Sequence, residues 1–89
     1  MKADLRDLAR GFSLLSERKR LAILQVLTKG PANVTAICKA LGLEQPAVSH
    51  HLGLLRIGRL VDGKRRGRSV IYEADKAALK ALASALATE

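Results

Sequence analysis

A mainly helical fold carrying one small β-hairpin, in the order α-α-α-α-β-β-α, is predicted for this chain by three observations. Apolar residues recur at helical spacing in five stretches, the period changes to two between residues 60 and 74, and glycine, proline and capping side chains stand at the joints. The 89 residues make one small domain. A chain of this size buries only about two-thirds of its unfolded surface, so it gains from a partner subunit.

Residues 3–15 form the first expected helix. Leu5, Leu8, Phe12 and Leu15 lie 3, 4 and 3 apart, a narrow stripe of the kind that pairs with another helix. Asp4 and Asp7 sit early, where carboxylates suit the helix dipole, and Gly11 either weakens the helix or lets a neighbour cross closely. Ser16 is the expected N-cap of a second helix running to about Thr28. Leu21, Leu24 and Leu27, with Ile23 alongside, form its expected buried side. Arg18, Lys19 and Arg20 crowd its first turn, the wrong sign for the dipole; a nearby phosphate and a solvated cationic surface account for them equally well. Lys29-Gly30-Pro31 ends this helix, and Asn33 can cap the next.

The third helix carries Val34, Ile37, Cys38 and Leu41 on one face, and Gly42 stops it by tolerating the left-handed conformation. Leu43 plugs the angle before a fourth helix, which begins near Gln45 with Pro46 in its first turn and runs to Ile57. Val48, Leu52 and Leu55 form its apolar face. Gln45, Ser49, His50, Gly53 and Arg56 form the opposite face, with Leu54 at the edge. Residues 60–65 and 69–74 then read as two strands joined by a basic, glycine-containing turn. Val70, Tyr72 and Ala74 share one face of the second strand and Ile71 takes the other. Asp75 caps a last helix over 75–87, where Leu79, Leu82 and Leu86 repeat the 3 and 4 spacing. The terminal helices thus offer a surplus apolar stripe made of Leu5, Leu8, Phe12, Leu15, Leu79, Leu82 and Leu86. Dimerisation is its expected use, against the alternative that both helices fold back on their own core.

Composition narrows the function. The formal charge is +8, from 16 basic and 8 acidic residues, which points to a polyanionic partner. One Phe, one Tyr and no Trp argue against single-stranded nucleic acid bound on stacked aromatic platforms. A single cysteine forbids an intrachain disulfide and suits a reducing compartment. No apolar run approaches the roughly 20 residues of a membrane span, and the N-terminus lacks the apolar core of a secretory signal. A cytoplasmic location is expected. No nucleophile stands with a placed base and no phosphate-cradling glycine loop occurs, so an enzyme is not expected.

Two helices joined by a tight turn, the second with a polar face, have the geometry that fits a DNA major groove. Gln45 can pair bidentately with adenine. Pro46 and Ala47 lie beside it in the first turn. Ser49 and His50 can donate to base edges or phosphates, the helix N-terminus attracts phosphate, and Arg56 lies further along the same face. His51 sits beside the core face, where a structural hydrogen bond is its expected role. The hairpin becomes the wing of a winged helix–turn–helix. Arg66 and Arg68 flank Gly67 at its tip, and arginine in a narrow minor groove reads shape and charge; Lys64 and Arg65 are expected on phosphates. Cys38, on an apolar face, reads as a small hydrophobe.

The runs SERKRLAILQVL, ANVTAICKALGLEQPAVSHHLGLLRIGRLV and GKRRGRSVIYEAD, in this order of elements, make the chain resemble the ArsR/SmtB family of winged-helix repressors over roughly residues 12–75. The most specific part is Val48-Ser49-His50-His51-Leu52, followed by Leu55 and the Gly58-to-Val61 turn into the wing. The resemblance implies a homodimeric bacterial transcription factor, usually a repressor, that binds an imperfect inverted repeat and releases it on a signal. One departure matters. Many members sense metal through a cysteine pair in the third helix or through histidine and acidic ligands in the last. Here residues 33–36 hold no cysteine, and the last helix offers Asp75 and Glu89 but no histidine. Soft metals need several thiolates and zinc usually four ligands. His50 and His51, as helical neighbours, point about 100° apart and do not easily grip one ion. No metal and no cofactor are expected, and the inducer is not named by any residue pattern. Two other readings use the same residues: a non-inducible architectural or antitoxin-like DNA-binding protein, and an interaction module whose basic wing meets an acidic protein.

Overall fold

The computed structural model of the chain describes residues 4–86. Its elements are α1 (Leu5–Leu15), α2 (Arg18–Lys29), α3 (Val34–Leu41), α4 (Gln45–Ile57), β1 (Val61–Arg66), β2 (Ser69–Ala74) and α5 (Lys76–Leu86), in the predicted order. Local chemistry sets most of the boundaries. The Asp4 carboxylate accepts from the Arg6 amide at 2.8 Å, Asn33 Oδ1 from the Ala36 amide at 2.8 Å, and Asp75 Oδ1 from the Ala78 amide at 3.0 Å. Asp75 therefore caps α5 from outside it; residues 3 and 87, expected at the ends of the terminal helices, lie outside the described residues.

The start of α2 departs from expectation. Its N-cap is Glu17, whose Oε1 accepts from the Lys19 and Arg20 amides at 2.7 and 3.0 Å. Ser16 instead closes α1, its hydroxyl donating to the Ser13 carbonyl at 2.7 Å. A carboxylate at this position reaches two orphan amides and also offsets the cations of the first turn, which a serine cannot do.

The core gathers Ile23, Leu24 and Leu27 from α2, Ile37 from α3, Val48, Leu52 and Leu55 from α4, Leu60 and Val61 at the entry to the hairpin, and Leu82 from α5. Leu21 is a second correction: it is 45% exposed, while Ile23 is fully buried. The inward stripe of α2 runs 20, 23, 24, 27, which tracks the helical period, whereas 21, 24, 27 drifts off it. Arg20 heads the true stripe, so it is half-buried while Arg18 and Lys19 are exposed.

The hairpin pairs Val61 with Ala74, Gly63 with Tyr72, Arg65 with Val70 and Arg66 with Ser69. A two-residue loop, Gly67-Arg68, closes it. Gly67 has φ 60° and Arg68 has no positive φ, the pattern of a hairpin turn with glycine first. β1 begins at Val61 rather than at Leu60; Leu60 is buried and its carbonyl accepts from the Asp75 amide at 2.8 Å, fastening α5 to the base of the wing. Ala32 and Tyr72 exchange two backbone hydrogen bonds, of 3.0 and 2.8 Å, tying the α2–α3 connection to β2.

The terminal helices cross closely. A Cβ on Gly11 would lie 2.7 Å from Leu82 Cδ2, so a side chain there would push Leu82 aside. Leu82 is 7% exposed and belongs to the chain's own core, which removes it from the surplus stripe. Leu8, Phe12, Leu15 and Leu79 are half-buried against that core. Leu5 and Leu86 remain 80% and 74% exposed. Among the described residues no helix is long and apolar enough to cross a membrane.

Candidate nucleic-acid interface

α3 ends on Gly42 in the left-handed conformation, φ 66° and ψ 33°, and Leu43 packs half-buried in the angle that follows. The turn sets α4 across α2 and α3. Val48, Leu52 and Leu55 then face inward at 0, 1 and 0% exposure. The rest of the helix is turned outward by the same period: Gln45, Pro46, Ser49, His50, Gly53 and Arg56 are all exposed, and Ala47 is half-buried. Glu44 holds the N-cap position but its side chain makes no capping bond, which leaves first-turn amides of α4 open to an outside acceptor. At the other end, Arg59 takes a left-handed φ of 63°. The Leu60 amide donates to the Leu55 carbonyl at 2.9 Å and the Arg59 amide to the Arg56 carbonyl at 3.0 Å, a Schellman closure. Ile57, the last residue of α4, is 80% exposed, which no apolar spacing predicted.

The wing supplies the second half of the surface. Lys64, Arg65, Arg66 and Arg68 are all exposed. The strand register separates them: Lys64 and Arg66 share one face with Ile71, while Arg65 shares the other with Val70 and Tyr72. Lys64 and Arg65 therefore point to opposite sides of the hairpin. Of the wing cations, Arg68 shares a cleft with the start of α4. It lines this shallow cleft with Gln45, Asn33, Thr35, Ser69 and Tyr72, so the wing tip, the start of α3 and the start of α4 converge. Lys64 and Arg66 line a separate recess with Pro31, Ile71 and Glu73 on the far side of the hairpin. Thr35 was not singled out by sequence; its signal is its place in the first turn of α3, two residues after the Asn33 cap.

The two histidines part company. His50 is exposed on the outer face; His51, with a side chain 13% exposed, turns inward to Arg20, whose Nη1 lies 3.3 Å from His51 Nδ1. His51 Nε2 is 3.9 Å from Glu17 Oε1. Burial holds the His51 pKa below its ordinary value; the Glu17 carboxylate opposes this, and Arg20, His50 and Lys19 add to it. The Glu17 carboxyl is held below the usual carboxylate range, chiefly by the hydrogen bond from the Arg20 amide. With His51 engaged this way, and the ring centroids of His50 and His51 5.3 Å apart at 58°, the pair does not suit a shared ion. Among the described residues no three of His, Cys, Asp and Glu converge on a metal-sized site, and Glu89 lies outside those residues. Cys38 is half-buried against the core.

A helix–turn–helix whose outer face is polar, beside a wing tipped with arginine, matches known proteins in sequence as well as shape. The sequence profile described as "Bacterial regulatory protein, arsR family" matches residues 17–62. The chain belongs to the arsR family. That match runs from the cap of α2 to the start of β1 and so includes the whole reading unit. The HTH-type transcriptional regulator NmtR of Mycobacterium tuberculosis is 50% identical over 58 residues, 65% of this chain. The chain spans about half of that relative's length, 48%. An ArsR-like transcriptional regulator from Rhodococcus sp. RHA1 superposes with a TM-score of 0.85 at 29% identity, over 92% of this chain and 77% of that one. The homodimeric winged helix–turn–helix DNA-binding domain of Mb0332 from Mycobacterium bovis, described as a possible ArsR-family regulator, does so with a TM-score of 0.78 at 33% identity, over 97% and 87%.

Proposed function

We propose that this arsR-family chain is a transcriptional regulator, of repressor type, that binds double-stranded DNA as a homodimer in the cytoplasm. The observation that carries the reading is the convergence of Gln45 and Arg68 on one cleft, with the exposed polar face of α4 running on from it. α4 enters the major groove, where Gln45, Ser49 and His50 approach base edges. Arg68 and its neighbours on the wing reach the adjacent minor groove or phosphates, and Arg56 a backbone further along. Leu5 and Leu86, with the half-buried Leu8, Phe12, Leu15 and Leu79, form the contact with the second copy. Support for two copies comes from the exposed apolar ends of α1 and α5 and from the homodimeric state of the Mb0332 domain. Two-fold symmetry then sets the reading helices about 34 Å apart, one DNA turn, and asks for an inverted repeat.

The test is a salt titration on duplex DNA enriched from a random pool by the protein itself. Six to ten neutralised phosphates give roughly a 10³- to 10⁵-fold loss of affinity between 50 and 200 mM salt. A nearly flat response, or no enrichment at low salt, would sink the reading. An enriched pool without an inverted repeat would leave DNA binding intact but remove the paired-helix geometry.

A further inference from the structure

The corner between α1 and α2 touches the reading helix twice. The Leu14 side chain, one residue before the end of α1, packs against Gly58 just past the end of α4, so closely that a Cβ on Gly58 would force Leu14 aside. The Leu14 carbonyl accepts a 2.7 Å hydrogen bond from Arg20 Nε. The same guanidinium presents Nη1 to His51 Nδ1, 3.3 Å away in the middle of α4. Arg20 itself is fixed from behind, because its own amide donates to Glu17.

The chemistry of this contact is one-directional. A guanidinium carries donors and no acceptor, so His51 Nδ1 must accept. A neutral imidazole with its proton on Nε2 satisfies this contact, and Nε2 is the nitrogen that faces the Glu17 carboxylate at 3.9 Å. A lysine could serve one of the two acceptors as a point donor, but not both through a planar fork. His51 is next in sequence to His50 and two residues from Ser49, both on the outer face. Rotation or sliding of α4 at His51 moves those side chains directly.

We propose that Arg20 is a positioning residue for sequence recognition: by joining the Leu14 carbonyl to His51 Nδ1, it sets the attitude of the reading helix from the end of the terminal helix α1. The inference rests on the DNA-binding reading above. Bidentate base contacts depend on that attitude, while phosphate contacts tolerate small shifts. Loss of the strut therefore removes preference for the enriched site more than it removes affinity for DNA in general.

The experiment compares the whole chain with its Arg20→Ala, Arg20→Lys and His51→Asn variants on two duplexes, the enriched one and a scrambled one, across salt. Arg20→Ala and Arg20→Lys should cut the enriched-to-scrambled affinity ratio by on the order of tenfold or more, with the salt slope unchanged. His51→Asn keeps an acceptor near the Nδ1 position and should retain most of the ratio. Acid supplies a second arm. The charged and titratable groups facing His51 are Glu17, Lys19 and Arg20 from α2 and His50 from its own helix. Protonation turns Nδ1 into a donor, so the wild-type ratio should fall in acid, below the ordinary histidine range because burial holds the His51 pKa down, and His51→Asn, which retains His50, should not follow it. If Arg20→Ala weakens both duplexes alike and lowers the salt slope by about one phosphate, Arg20 is a backbone contact and the proposal is overturned. An unchanged ratio overturns it as well. Should Arg20→Ala fail to fold, the nitrogen resonances of His51 in the wild-type protein decide: an Nε2–H tautomer supports the strut and an Nδ1–H tautomer removes it. Wild-type protein that ignores both duplexes defeats the parent reading, an outcome distinct from binding that Arg20→Ala leaves untouched.

Discussion

The central helices and the terminal helices use the same aliphatic side chains to different ends. In α2, α3 and α4 most are shut away: Ile23, Ile37, Val48 and Leu55 have no exposure at all, and Leu21 and Ile57, 45% and 80% exposed, are the exceptions. In α1 and α5 they are left part in and part out. Leu82 is buried under Gly11, while Leu5 and Leu86 stand 80% and 74% exposed. The core beneath the reading helix is thus complete within one chain, and the terminal pair is not. A self-contained support then presents α4, and the second copy proposed above would meet surface the fold does not need for itself. Spacing alone could not separate these roles, because a 3-4-3 stripe is the same whether it faces its own core or a partner.

The largest effect should come from the central side. Leu52→Ala leaves a void under α4 and should cost about 2–5 kcal/mol, with the midpoint in urea lowered at an unchanged slope. Leu5→Ser, made at the same protein concentration, should stay within about 0.5 kcal/mol for unfolding of the single chain. Comparable losses from both would erase the distinction between complete core and open end. Thermal melting gives the same contrast, since about 1 kcal/mol moves the midpoint of a domain this small by roughly 4–8 °C.

Next in size is the effect on association. Burying an exposed leucine against a partner gives about 1.5–3 kcal/mol. Leu5→Ser combined with Leu86→Ser should therefore raise the dimer dissociation constant by at least about tenfold, read by sedimentation across a concentration series. Helix content should not change. If self-association survives intact, the exposed ends of α1 and α5 are not where two copies meet, and the half-buried Phe12 and Leu79 become the residues to vary.

What could be read in the chain was whatever depends on neighbours in sequence. Asn33 and Asp75 cap their helices because each carries its own acceptor to an amide three residues on. The polar face of α4 and the wing followed from period alone. Glu17 was hidden by Ser16, a good cap in the abstract that stands one place too early for the cationic turn it would have to offset. Arg20 hid the stripe of α2, since a charged residue at the head of 20, 23, 24, 27 diverts the eye to the all-leucine 21, 24, 27. At the wing the set of cations was plain, but which face each takes waits on the pairing of Lys64 with Ile71 and Arg65 with Val70. The contact between Arg20 and His51 joins residues 31 apart and leaves no periodic trace. Sequence had placed His51 beside the core and in want of a partner; the partner itself is a product of how α2 crosses α4.

The smallest expected effect lies where the two regions meet, at the end of α4. Glycine is the usual residue in the left-handed position of a Schellman closure, because any other residue brings its Cβ against the carbonyl that follows. Here the order is reversed. Gly58, with an ordinary helical φ of −77°, stands where Leu14 of α1 packs in, and Arg59 takes the left-handed φ of 63°. The closer approach of the terminal helix has claimed the glycine, and the next residue carries the backbone cost. Arg59→Gly should relieve that cost and raise stability by about 0.5–1 kcal/mol, the left-handed penalty less the extra freedom of glycine in the unfolded chain. A melt should show a rise of a few degrees, with dimer dissociation unchanged. A fall instead would mean that the Arg59 guanidinium contributes more to this corner than its backbone takes away, and the line between the self-sufficient core and the terminal helices would have to be redrawn through α4 itself.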